Sequence, residues 1–291
     1  MLPSAADSVG SPTGSVGEPT SSDPAIVPIR PMQFRELLDL PFALIQARIK
    51  TLAALLGVAW LAASALAVAG AVVAAAITGD SDSGTFWGAL ITGLLCAWAL
   101  RFFVRGVTVP IGLDVVYRRP STWRNAVRQL TSAAGPLLGY QAMYTLIGLG
   151  VLAVGTPLLF TAPFAVIWLA WLRARRFTLA PIIFDNSASY GVAARRAKLL
   201  ASGSEWQLVG LWLYLRGLLV VLIVPVLALP STISDFSGTH RWTVTVLIIA
   251  VALLLVAVGE MVESATQVVT YVDRRCRREA WDIRVPAGGA R

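Results

Sequence analysis

Six stretches of the chain are apolar enough to read as membrane-crossing helices: residues 52–77, 86–109, 135–154, 157–172, 206–229 and 242–265. A helix rising ~1.5 Å per residue needs ~20 such residues to cross ~30 Å of hydrocarbon, and most of the runs reach that length. The fourth is the shortest and carries Pro157 and Pro163, so a short or kinked span is expected there. With 56% hydrophobic residues, a soluble domain of this size would have to bury several such stretches in one core. The fold class expected is therefore all-α, a polytopic membrane bundle of about six transmembrane helices with amphipathic cytoplasmic interfacial helices.

The polar connections fix an orientation. Of the 24 Lys and Arg residues, all but Arg216 and Arg241 fall in segments that share one side of the membrane if the six runs cross it. The other side receives short connections with Asp80, Asp82, Asp235 and Arg241. By the positive-inside rule both termini are cytoplasmic. The net charge of +8 thus marks membrane boundaries and anionic head groups, and nucleic acid is not an expected partner.

The cytoplasmic segments have their own pattern. Residues 34–49 set Phe34, Leu37, Leu38, Leu44 and Ile45 against Arg35, Glu36, Asp39 and Arg48, with Pro41 as an interruption. Residues 122–130 place Trp123, Ala126, Val127 and Leu130 opposite Arg124 and Arg128. Residues 190–201 place Val192, Leu199 and Leu200 opposite Arg195, Arg196 and Lys198. Each precedes two apolar runs, so the chain reads as three units of an interfacial helix plus a helical hairpin, about 70 to 80 residues apart. Gly203 is a candidate helix stop, and Ser204 to Gln207 has the form of a capping box. In domain terms, residues 1–29 are a polar tail expected to be disordered, without the charged start and apolar core of a cleavable signal. Residues 30–279 form the membrane domain and 280–291 a cytoplasmic tail.

Within the first run Ala59, Ala63, Ala67, Ala71 and Ala75 recur every fourth residue, a stripe that suits a close helix contact, either with another copy or within the bundle. Charges inside the runs need partners, since one near mid-bilayer costs roughly 2.5 to 3.5 kcal/mol on insertion scales. Glu260 and Glu263 share a helix face, and Arg216 lies at a comparable depth. Together with Arg101 and Arg105 they form a candidate intramembrane polar cluster: either a polar pathway or a static ion-pair lock. Arg195, Arg196, Lys198, Arg274, Arg275, Arg277 and Arg278 are candidate contacts for anionic lipid or a protein partner.

Catalytic signatures are missing. The single His240 stands without neighbouring ligands, and there is no phosphate-binding loop, dinucleotide fingerprint or metalloprotease helix. No cofactor or metal is expected, and Cys96 and Cys276 fall where pairing is disfavoured.

Three stretches carry a resemblance. They are Arg30-Pro31-Met32-Gln33-Phe34-Arg35-Glu36-Leu37-Leu38-Asp39; the segment from Arg176-Phe177-Thr178-Leu179-Ala180-Pro181 through Ala193-Ala194-Arg195-Arg196 to Ser202-Gly203; and Tyr271-Val272-Asp273-Arg274-Arg275-Cys276-Arg277-Arg278-Glu279-Ala280-Trp281-Asp282. In these the chain resembles the bacterial glycerophosphoryl diester phosphodiesterase membrane-domain family over most of residues 30–284. The resemblance implies a helical membrane module, separate from the family's phosphodiesterase barrel and without its metal-binding set. The function expected is a non-enzymatic bacterial inner-membrane scaffold or accessory subunit of an envelope complex, with a membrane or cytoplasmic protein partner. The alternative is a small transporter or channel using Arg216, Glu260 and Glu263.

Overall fold

The computed structural model of the protein describes residues 27–155, 161–237 and 241–280. Among the described residues it is helical throughout, in the order α1 (Phe34–Ala47), α2 (Ile49–Ile77), α3 (Asp82–Val116), α4 (Trp123–Ser132), α5 (Ala134–Gly155), α6 (Ala162–Ala174), α7 (Leu179–Asn186), α8 (Tyr190–Ala201), α9 (Glu205–Ser237) and α10 (Arg241–Glu279). Five of these, α2, α3, α5, α9 and α10, are long and apolar enough to cross a membrane. The apolar pattern predicts about six. The fourth run appears as α6, whose 13 residues reach about 20 Å, short of the ~30 Å of a bilayer core. Residues 156–160 lie outside the described residues, as do His240, Trp281, Arg284 and Arg291.

Local chemistry sets several helix ends. Glu36 reaches back to the Gln33 backbone N–H at 2.8 Å and closes a capping box on α1. Ser81 and Thr122 accept from the backbone N–H groups of Gly84 and Asn125 at the starts of α3 and α4. Gly203 adopts φ +76°, the left-handed conformation that ends a helix, between α8 and α9. The Ser204 hydroxyl there donates to the Ala201 carbonyl, and the Gln207 carbonyl oxygen accepts from Arg274, so both side chains serve contacts other than the expected box. Pro41 lies inside α1 rather than breaking it, and the chain turns instead at Arg48.

The two longest helices each have two storeys. In α3, Phe86, Trp87, Leu90, Ile91, Leu94 and Leu95 are exposed, whereas every residue of 104–114 is buried. In α10, Val246, Leu254 and Val258 are exposed, whereas every residue of 263–274 is buried. The enclosed halves are wrapped by the short helices: α1, α7 and α8 lie against α10, and α1, α4 and α7 against α3. Small residues permit the wrap. A Cβ at Gly106 would fall 2.2 Å from Leu130 Cδ1 of α4, and one at Gly112 would crowd Val268 and Leu44. α7 was not foreseen. Its Leu179, Ala180, Ile182 and Ile183 are all but fully buried.

α1 spends its apolar stripe within the protein, with Leu37 and Leu44 fully buried, while Phe34 and Phe42 point outward. On α8 the buried face is Ala193, Ala197 and Leu200, and Val192 and Leu199 are exposed beside Arg195 and Lys198. The face is therefore rotated from the one the apolar residues suggest, because small alanines allow the closest approach to the core. In the exposed storey the alanine stripe of α2 is intramolecular. Ala67, Ala71 and Ala75 are buried, Thr92 of α3 donates to the Ala67 carbonyl, and a Cβ at Gly88 would collide with Ala74. Trp60 ties α2 to α10 through the Ala250 carbonyl at 2.8 Å. The remaining long helices close a ring: α3 touches α10, α10 touches α9, α9 touches α6, α6 touches α5, and α5 returns to α3.

Candidate functional site

At the junction of the two storeys, inside that ring, charged and aromatic side chains from five helices converge. α3 contributes Arg101 and Arg105 at i and i+4, and α10 contributes Glu260 and Glu263 at i and i+3, so each pair shares one face of its helix. Arg105 is fully buried and lies 2.5 Å from Glu260. Its geometry makes this a charge pair rather than a hydrogen bond. Arg101 donates to the other Glu260 oxygen at 2.8 Å, and Arg105 also lies 3.9 Å from Glu263. Arg216 of α9 pairs with Glu263. All five residues of the candidate polar cluster are thus neighbours.

Four further residues complete the arrangement. Tyr144 of α5 sits at its centre: its hydroxyl donates to Glu263 at 3.3 Å and accepts from Arg216 at 3.3 Å and from Arg173 at 2.7 Å. The Arg173 guanidinium, at the end of α6, also lies 3.7 Å from the centroid of the Tyr144 ring, an arrangement in which the ring's negative face meets the cation. Arg105 donates to Gln141 at 3.0 Å and stacks over Tyr140 at 4.8 Å. One turn outward, Trp98 ties α3 to α5 through Thr145 at 3.1 Å. Sequence reasoning placed Arg173 with the basic residues of a connection and passed over Tyr140, Gln141 and Tyr144. The available signal is the Tyr-Gln-x-x-Tyr spacing within an apolar run, which puts three polar side chains on one side of a span whose other side chains, Thr145 apart, are apolar.

The cluster is densely filled. The space bounded by Tyr140, Tyr144, Arg173 and their neighbours holds a cavity of about 10 Å³, room for at most one water. Four guanidinium groups face two carboxylates, so an excess of positive charge stays at the junction. Arg101 and Arg216 keep about a quarter of their side chains exposed, whereas Arg105 keeps none.

A second network holds the enclosed storey together. Asp185 of α7 accepts from the hydroxyls of Tyr117 and Tyr271, each at 2.6 Å, and from Arg275 at 3.1 Å. Burial first, and then the bond to Asp185, push the Tyr117 phenol above its ordinary range. Asp273, fully buried, accepts from the Met32 backbone N–H and from Arg277, each at 2.8 Å. Arg277 in turn donates to the Met32 carbonyl at 2.5 Å. Arg274 donates to Gln207, Arg278 to Ser202, and Arg196 grips Glu279 at 2.7 and 2.9 Å. The candidate contact residues therefore divide. Arg196, Arg274, Arg275, Arg277 and Arg278 fasten α10 to the rest of the chain, while Arg195 and Lys198 face outward on α8. Cys276 is buried and Cys96 half-buried. Among the described residues no group of His, Cys, Asp or Glu is placed to hold a metal ion.

Comparison of the chain with family models, curated proteins and solved structures finds no match.

Proposed function

We propose that this is a six-span bacterial inner-membrane protein with both termini cytoplasmic, acting as a non-enzymatic scaffold or accessory subunit of an envelope complex. The observation that carries the reading is the two-storey build. α3 and α10, at 35 and 39 residues, are about 52 and 58 Å long, well beyond a ~30 Å hydrocarbon core. Their exposed apolar halves suit lipid. Their enclosed halves, wrapped by α1, α4, α7 and α8, project from the membrane as an ordered platform, and the basic residues gathered there make the cytoplasm its natural side.

Two contacts support α6 as the sixth, short span. Asp185 reaches Tyr117 at the end of α3, and Tyr190 lies within 4 Å of where a Cβ at Gly139 near the start of α5 would be. The chain that leaves the platform in α5 has returned to it by α7. The mixed outward face of α8, with Val192 and Leu199 beside Arg195 and Lys198, suits an anionic membrane surface or an acidic partner. The resemblance to the phosphodiesterase membrane-domain family agrees with a helical module that has no catalytic residues to inherit.

A dense, internally paired charge cluster favours a structural lock over a polar pathway. The transporter reading keeps one point in its favour, the uncompensated positive charge beside Arg101 and Arg216. Gentle-detergent purification from the native membrane, with mass spectrometry of what comes with the protein, separates them. A stoichiometric protein partner is the expected result; Glu260-dependent flux in proteoliposomes from a solitary protein would sink the scaffold reading.

A further inference from the structure

Between the exposed halves of α3 and α10 lies a groove of about 540 Å³, within the ~300–1,000 Å³ of small-molecule sites. Its walls are apolar from Leu90 to Ala97 on one side and at Leu253 and Val256 on the other, with Asp82, Thr85 and Thr245 at the end away from the cluster. The faces continue into charge: Arg101 is one turn beyond Ala97, and Glu260 is one turn beyond Val256. The Arg101–Glu260 pair thus joins the two helices one turn beyond the last groove residues, at the rim of a cluster whose cations outnumber its carboxylates. Arg101 keeps a quarter of its side chain exposed there.

We propose that this groove binds one anionic phospholipid from the leaflet on the platform side, its phosphate at Arg101 and one acyl chain running up between α3 and α10. The dimensions suit a lipid chain. From Asp82 to Ala97 the α3 wall rises through fifteen residues, about 22 Å, which suits an extended acyl chain. The charge argues for the head group. A zwitterionic lipid leaves the excess cation at the junction uncompensated, whereas a head group with net negative charge neutralises part of it and meets the exposed edge of Arg101. This site is separate from the outward face of α8 and stands whether or not a protein partner exists.

Native mass spectrometry of the delipidated full chain, titrated with dioleoyl phosphatidylglycerol or dioleoyl phosphatidylcholine, tests it. One phosphatidylglycerol should bind per chain, at least tenfold tighter than phosphatidylcholine of the same chains. Gly93 faces open space, with nothing within 4 Å of where its Cβ would be, so Gly93→Phe should fill the groove without touching the cluster. It should abolish that binding while leaving the unfolding midpoint unchanged. Arg101→Gln should remove the preference for the anionic lipid and keep the weaker acyl-chain affinity. Should Arg101→Gln fail to fold, the Gly93→Phe comparison still decides. Equal binding of the two lipids, undiminished phosphatidylglycerol binding by Gly93→Phe, or a photo-crosslinker at Leu94 that captures a polypeptide instead of lipid in native membranes would each overturn the proposal.

Discussion

The Arg105 guanidinium and the Glu260 carboxylate lie 2.5 Å apart with neither side chain more than 1% exposed. Removing one member of such a pair leaves the other charged, desolvated and unmatched, which costs ~3–5 kcal/mol, whereas replacing both by apolar residues of similar volume is often neutral. Glu260→Gln is therefore expected to lower stability by ~3–5 kcal/mol, and the Arg105→Met, Glu260→Met double variant to recover part of it, since Arg101 still loses its Glu260 acceptor. Reversible unfolding in mixed micelles measures both. A Glu260→Gln protein as stable as the parent would mean that the cluster does not lock the helices.

Gly148 of α5 makes room for Arg173. A Cβ there would stand 2.8 Å from Arg173 Nη2 and push the guanidinium off Tyr144. Because the crowded atom ends a flexible side chain, Gly148→Ala should be tolerated. Gly148→Leu should cost ~1–3 kcal/mol as an overpacked contact. Gly150, two residues on, meets nothing within 4 Å, and Gly150→Leu should leave the unfolding midpoint where it was. Equal effects at the two positions would remove the specific role given to Arg173.

These residues also mark what could and could not be read in advance. Charges embedded in apolar runs announce themselves, because an unpaired one is too costly to keep; Arg101, Arg105, Arg216, Glu260 and Glu263 were legible for that reason. Arg173 was not, since it ends a short run and looked like a boundary residue. Tyr140, Gln141 and Tyr144 carry no net charge and became partners only once the ring brought α5 beside α3 and α6. The enclosed halves of α3 and α10 were hidden differently. Residues 263–274 include Glu263, Ser264, Thr266, Gln267, Thr270, Asp273 and Arg274, all buried, and no hydropathy window reports burial of that kind. The wrapping by α1, α4, α7 and α8 is a tertiary fact, and the sign of the apolar face on α8 changed with it.

Asp273 ties the start of the membrane domain to its end by accepting from the Met32 backbone N–H, 241 residues away in sequence. Loss of a charge-assisted acceptor to a buried donor costs ~1–3 kcal/mol. In Asp273→Ala the residues around Met32 should come away from α10 before the rest of the protein opens. Limited trypsin digestion reads this as faster cleavage after Arg35, with the pattern beyond α2 unchanged. Cleavage no faster than in the parent would show that the tie is dispensable.

The Tyr117 phenol, held above its ordinary range by burial and then by Asp185, makes stability depend on alkaline pH. Its contribution is fully present below the unfolded phenol's ordinary value of ~10 and is lost as pH rises past it, because the unfolded chain then releases a proton that the folded one retains. Unfolding midpoints should hold steady from neutral pH to about 9 and fall beyond ~10. Tyr117→Phe should begin from a lower midpoint, having lost the bond to Asp185, and should fall less steeply. Parallel curves for the two proteins would assign the alkaline loss to other groups.

α6 decides the topology, since with it the termini share a side and without it they do not. Its 13 residues are short for a span, yet the contacts on either side of it bring α7 and α8 back to the level of α4 and the start of α5. A short helix can meet that demand if its ends draw the bilayer inward, and Arg173 at its platform end already sits at the charged junction, where a polar end is satisfied. Single cysteines at the exposed positions Ser83, Ser132 and Ser189, in a chain lacking Cys96 and Cys276, give the answer by labelling with a membrane-impermeant maleimide. In intact spheroplasts Ser83→Cys should react, and Ser132→Cys and Ser189→Cys should react only after permeabilisation. Labelling of Ser189→Cys, but not Ser132→Cys, before permeabilisation would place the ends of the α5–α6 hairpin on opposite sides. The platform would then be divided by the membrane, a result incompatible with the Asp185 to Tyr117 bond.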